Sequence, residues 1–137
     1  MRAMLSRLLE PRTELAYALL RAVSGLLFSF HGMQKTFGVL TESRPPLLSQ
    51  IGVGGLIELL AGLAIAAGLC TRPVAFVASG TMAVAYTQFH WKLAFGSSFF
   101  PAINHGELAL LYAFLFLFVA CRGGGPFSVD HLRKRPS

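Results

Sequence analysis

Charge is what this sequence has least of. Asp and Glu together number 6, and all charged residues make up 13% of the 137 positions, about half of the usual share near 25%. A soluble domain would need that missing charge on its surface, and a chain of this length is too short to hide apolar helices on every side. Cysteine is scarce too: Cys70 and Cys121 make no disulfide framework, and no C-x-x-C pair occurs. There is no basic stripe interleaved with aromatics, so the formal net charge of +6 does not point to nucleic acid. A cleavable signal peptide is not expected, because the first apolar segment holds Arg21 and lacks a small-residue cleavage site. No internal repeat is visible.

What is abundant is apolar. The 54% hydrophobic content, the mean hydropathy of +0.60, the 14 glycines and the 12 phenylalanines suit helices packed closely in lipid. The expectation is one all-α domain, an integral membrane four-helix bundle, with spans at about 15–33, 51–70, 73–90 and 106–121. Residues 71–72 read as a tight turn that makes the second and third spans antiparallel neighbours. Residues 91–105, with Trp91, Phe95, Phe99 and Phe100, are too apolar to float in water and are expected in the interface or folded over the bundle. Residues 122–137 form a Gly-rich and then basic tail. One side collects Arg2, Arg7, Arg12, Arg72, Arg122, Arg133, Lys134 and Arg135; the other has Lys35, Arg44 and Lys92. Eight against three places both termini in the cytoplasm.

Ionisable residues inside such spans cost about 2.5–3.5 kcal/mol each at the centre on insertion scales, so each is a candidate for function. Arg21 lies about 9 Å in from the cytoplasmic end of the first span, and Glu58 about 10 Å in from the outer end of the second. Arg21, Gly25, Phe28, Gly32 and Lys35 share one helical face; Gly54, Gly55, Glu58, Ala61 and Gly62 share another. If these faces meet, Arg21 and Glu58 form a buried ion pair, either a structural register lock or part of a site. His31, Gln34, Lys35, His90, Asn104, His105 and Glu107 all fall near the outer ends of spans, at one depth. Donors and acceptors gathered at that level suit a small polar group or a quinone head. The plainer alternative is that Lys35 and Lys92 snorkel to lipid phosphates while Asn104 and Glu107 cap the fourth helix. A bis-histidine haem between His31 and His90 is the less favoured reading, since both lie near the water boundary. His105-Gly106-Glu107 is not a metal-ligand spacing, and no metal is expected. Cys70 and Cys121, at the cytoplasmic boundary, are expected as free thiols.

The motifs carry a resemblance. Arg21-x-x-x-Gly25 followed by His31-Gly32-Met33-Gln34-Lys35 resembles the first helix of the DoxX family. Gly55-x-x-Glu58, then Gly62, Gly68 and Thr71-Arg72, resembles its second helix and turn. Asn104-His105-Gly106-Glu107, Leu111-Tyr112, Gly123-Gly124-Gly125, Ser128 and Asp130 resemble its fourth helix and terminus. The likeness runs over about residues 15–131, and His105 stands where a second glycine is expected. It implies a small four-helix bacterial inner-membrane protein and marks Arg21, His31, Gln34, Lys35, Glu58, Asn104 and Glu107 as important. The family is named for its similarity to a subunit of an archaeal thiosulfate:quinone oxidoreductase, and other members are linked with membrane redox and oxidative-stress complexes. Three functions follow as alternatives. The first is a redox component, a quinone-linked oxidoreductase subunit, that binds quinone or a small sulfur compound near the outer face. The second is a non-catalytic subunit that recruits a soluble or membrane redox protein. The third is a small transport protein, which would need to form a homo-oligomer.

Overall fold

The computed structural model describes residues 1–134, apart from the side chains of residues 2 and 3. Arg135 of the basic tail lies outside the described residues. The described chain is helical, with no strand. Helix α1 (Arg2–Leu9) runs through a 3-10 turn at Glu10–Arg12 into α2 (Thr13–Phe37). Helix α2 therefore continues past the expected end at residue 33. Polar Gln34 and Lys35 do not stop a helix; Gly38 does, at φ 71, donating its N–H to the Gln34 carbonyl at 3.0 Å.

Helix α3 (Gln50–Ala67) opens on Ser49, whose hydroxyl accepts the Gly52 N–H at 3.1 Å. It closes at Gly68, φ 71, earlier than residue 70. The tight turn thus occupies residues 68–70, not 71–72, and α4 (Thr71–Ala85) starts where a turn was expected. This helix widens into a π-helical segment at Tyr86–Trp91, which ends at Lys92 in the left-handed region. The aromatic connection is not plain loop: it holds a 3-10 turn at Ser97–Phe99 and the single-turn α5 (Pro101–Asn104). Then come α6 (Glu107–Arg122) and α7 (Val129–Arg133), the latter a helix within the expected tail.

Helix α2 packs along α3 and α4 along α6, with a smaller contact between α3 and α4. Glycines set the first of these contacts. A Cβ added at Gly25 would sit 2.6 Å from the Ala66 N and the Gly62 O, so the two backbones touch there. The pairs join through aromatic rings: Phe28 lies 4.8 Å from Phe116 and 5.5 Å from Tyr112, centroid to centroid. Helices α4 and α6 are also tied by Ser79, whose hydroxyl donates to the Ala113 carbonyl at 2.7 Å. Large apolar side chains such as Leu60, Phe76, Leu111 and Phe114 point outward and are exposed, a surface suited to lipid. The stretch Met4–Phe37 and helix α3 are each long and apolar enough to cross a membrane.

Candidate functional site

Close α2–α3 contact decides who meets Glu58. At Gly32 a Cβ would collide with the backbone of Leu59 and Gly55, and the Lys35 side chain runs directly over Gly55. From there Lys35 Nζ reaches Glu58 Oε1 at 2.6 Å. Glu58 is 2% exposed, and its Oε2 is buried with no hydrogen-bond partner. The expected Arg21–Glu58 ion pair does not form. With Gly25 opposite Gly62 and Ala66, Glu58 stands opposite the His31–Lys35 turn, ten residues or about 15 Å along α2 from Arg21.

Arg21 instead binds carbonyls. Its guanidinium, in a residue 2% exposed, donates to the Ile65 oxygen, to the Ala66 oxygen at 2.8 Å and to the Phe127 oxygen at 2.6 Å. It thereby satisfies the last turn of α3 and holds the tail. The tail completes the same turn from the other side. The Asp130 N–H donates to the Gly68 carbonyl, while its carboxylate accepts the Cys70 N–H, the Thr71 N–H and the Thr71 hydroxyl at 2.7–2.8 Å. Asp130 thus caps α4 from about sixty positions downstream, a role that no local pattern discloses. Partial burial pushes its carboxyl upward, but the bonds from Thr71 and Cys70, with Lys134 nearby, outweigh that and hold it below the ordinary value of 3.8.

Because the folded state depresses this pKa, its contribution to stability is full above pH 3.8 and is lost as pH falls through the folded value. Hydrogen-exchange protection of the Cys70 and Thr71 amides is therefore expected to hold steady above about pH 4 and to fall below it. In Asp130→Asn that protection should already be reduced at pH 7. Unchanged protection in the variant would contradict the cap. Arg72 and Arg122 finish this end of the molecule: Arg72 donates to the Ala120, Cys121 and Arg122 carbonyls, and Arg122 pairs with Glu14 and lies 4.2 Å over the Tyr17 ring. Cys70 and Cys121 are exposed free thiols.

At the opposite end, two cavities flank the Lys35–Glu58 pair. The larger, about 580 Å³, lies between α3 and α4 and is lined mostly by apolar groups such as Ile51, Val53, Ile57, Val84 and Phe89. The smaller, about 200 Å³, lies toward α6 and is lined by His31, His105, Met82 and Tyr112 among others. Lys35, Glu58, Ala85 and His90 line both. Methyl groups added at Gly54 or Gly80 would touch nothing, so the larger cavity has open space along the α3–α4 seam. The Gln50 amide donates to the Gln88 side chain and bridges α3 to the π-helical segment. Neither glutamine was singled out by the sequence.

The other expected residues divide. His31 is exposed and faces the smaller cavity; His90 Nδ1 lies 3.2 Å from the Asn104 carbonyl. Gln34, Asn104 and Glu107 line neither cavity. Gln34 sits instead beneath the loop at Leu40, Thr41 and Pro45. The Asn104–Glu107 capping pair is absent: the N-cap of α6 is Gly106, with no side-chain cap, and Glu107 is exposed. Asn104 organises the aromatic connection, accepting the Gly106 N–H at 2.8 Å and donating to the Ser98 carbonyl at 2.9 Å. His105 adopts φ 58, which explains the expectation of glycine there: the left-handed region costs a side chain about 1–2 kcal/mol. Among the described residues, no three His, Cys, Asp or Glu side chains are grouped to hold a metal.

The DoxX family model matches residues 16–91, which carry Arg21, Lys35, Glu58 and His90. An uncharacterised protein of Haemophilus influenzae (strain ATCC 51907 / DSM 11121 / KW20 / Rd) is 38% identical over 122 residues, covering 83% of this chain and 87% of that protein. No solved structure matches. The resemblance seen in the motifs is borne out: the chain belongs to the DoxX family of membrane proteins.

Proposed function

We propose that this chain is a multi-pass protein of the bacterial cytoplasmic membrane in which α2, α3, α4 and α6 cross as a four-helix bundle. Both termini face the cytoplasm, and a small lipid-soluble molecule of the quinone class binds near the outer face. The Lys and Arg asymmetry supports the orientation, and the outward-facing apolar side chains support the crossing. One observation carries the binding reading: the buried Glu58 carboxylate and its half-buried partner Lys35 form part of the wall of a 580 Å³ cavity that is otherwise mainly apolar. That volume is in the range of small-molecule sites, and few convergent polar groups in an apolar lining is how such sites orient a ligand. The lining favours a quinone over a hydrophilic sulfur compound. Lys35 is the donor to a ring oxygen, with Glu58 and His90 beside it; Gln34 and Glu107 have no part. In this reading the chain is the ligand-binding component of a membrane redox system, and a separate soluble or membrane protein is its redox partner.

The test uses the sole tryptophan, Trp91, as reporter in nanodisc-embedded protein. Decylubiquinone should quench its fluorescence saturably. Gly80→Leu, which fills open space, should retain the fold and weaken binding at least tenfold. Absence of saturable quenching, or equal affinity in the variant, sinks the reading. With Cys70 and Cys121 replaced, single cysteines at the exposed positions Thr41 and Leu132 should be labelled from opposite sides of the membrane; labelling from one side overturns the topology.

A further inference from the structure

The Lys35–Glu58 pair leaves an atom incomplete. Glu58 Oε1 accepts from Lys35 at 2.6 Å, but Oε2 is buried without a partner. Arg21 Nε and Thr36 Oγ1 share that condition, but neither residue lines either cavity, whereas Glu58 lines both. An ionised carboxylate only accepts hydrogen bonds, so only a donor brought by something else completes this one.

His90 stands on the same walls. Its Nδ1 faces the Asn104 carbonyl oxygen at 3.2 Å, which can only accept. A neutral ring fits that contact with its proton on Nδ1, the tautomer in which Nε2 is an acceptor. A quinone offers oxygens that also only accept. It suits Lys35 but leaves Glu58 Oε2 as it was. A hydroxyl-bearing ring supplies the missing donor and still presents oxygen lone pairs to Lys35. The open seam at Gly54 and Gly80 and the Gln50–Gln88 bridge above it favour arrival from the lipid side.

Resting on the reading of this cavity as a site for lipid-soluble molecules, we propose that it selects a ligand whose polar head carries an O–H donor, so that a phenol or hydroquinone binds in preference to the matching ether or quinone. A buried acceptor left unmade is expected to weaken binding by about tenfold or more.

Redox-silent probes separate hydrogen bonding from electron transfer. In nanodiscs, 4-nonylphenol should bind the wild-type protein at least tenfold more tightly than 4-nonylanisole, read by Trp91 quenching. In Glu58→Gln, whose amide offers a donor where Oε2 stood, that ratio should fall to within about threefold. Hydroquinone should likewise outrank quinone when both are titrated without oxygen. Equal wild-type affinities, or a preference for the ether, would overturn the donor rule and leave the cavity reading standing. Binding of neither probe overturns the cavity reading and the donor rule with it. The wild-type comparison decides the matter even if Glu58→Gln fails to fold.

Discussion

Alanine at Gly25 or Gly32 is expected to lower stability by about 3 kcal/mol and to reduce sharply the yield of folded protein from membranes. The added methyl at Gly25 would lie 2.6 Å from the backbone of Ala66 and of Gly62; at Gly32 it would meet the backbone of Leu59 and Gly55. A flexible side chain can swing away from such an intruder, but backbone cannot, so α2 and α3 must separate along their length. Separation also pulls Lys35 from Glu58, since that bond depends on Lys35 lying over Gly55. The matched control is Gly54→Ala, one position from Gly55, where the new methyl meets open space. It should be neutral or slightly stabilising, because alanine is the better helix former by about 0.5–1 kcal/mol. Unfolding of detergent-solubilised variants by SDS titration ranks them. Similar losses at Gly25 and Gly54 would mean that close approach of the α2 and α3 backbones does not set the cost.

Arg21→Met is expected to be equally damaging, at about 3 kcal/mol, since each buried acceptor that loses its donor costs about 1–3 kcal/mol. Methionine replaces much of the buried stem but none of the donors, so the carbonyls of Ala66 and Phe127 lose Arg21 and that of Ile65 keeps only the Gly68 N–H. Lysine should rescue only in part: a single ammonium cannot reproduce the planar fork that serves two helix carbonyls and the tail at once. Limited proteolysis should show faster cleavage around residues 126–134 in both variants, a readout that general destabilisation of the distant Lys35 end would not single out. Combining Arg21→Met with Glu58→Gln should give additive losses, because these residues share no contact. A coupling above about 1 kcal/mol would restore the pairing that the structure replaces with Lys35–Glu58.

Much of this was readable from the residues, and the reasons for the rest are specific. Glu58 and Lys35 stand out because a charge in an apolar run needs a partner. The glycine-lined faces of α2 and α3 identify which helices meet. They do not say which residue opposes which, because a shift of two turns keeps glycine against glycine while exchanging Arg21 for Lys35 as the partner of Glu58. Helix ends follow backbone conformation at Gly38 and Gly68 more closely than the change in polarity used to guess them. A shared depth for His31, Gln34, Asn104 and Glu107 fixes one coordinate only, and rotation about each helix axis leaves Gln34 and Glu107 out of the lining of the two cavities. The π-helical segment has no simple signature, and it carries His90 to its place beside Asn104.

The order of synthesis gives the Asp130 clasp a meaning of its own. Ribosomes deliver the chain from its N-terminus, so helices α2, α3 and α4 are all made before the segment that closes the turn between two of them. Until Phe127 and Asp130 emerge, Arg21 lacks one of its three carbonyls and the first turn of α4 lacks its cap. Residues 127–130 therefore close this end only after the helices it joins have been made: a chain cut before them leaves the Thr71 end of α4 uncapped, and a chain that carries them closes it.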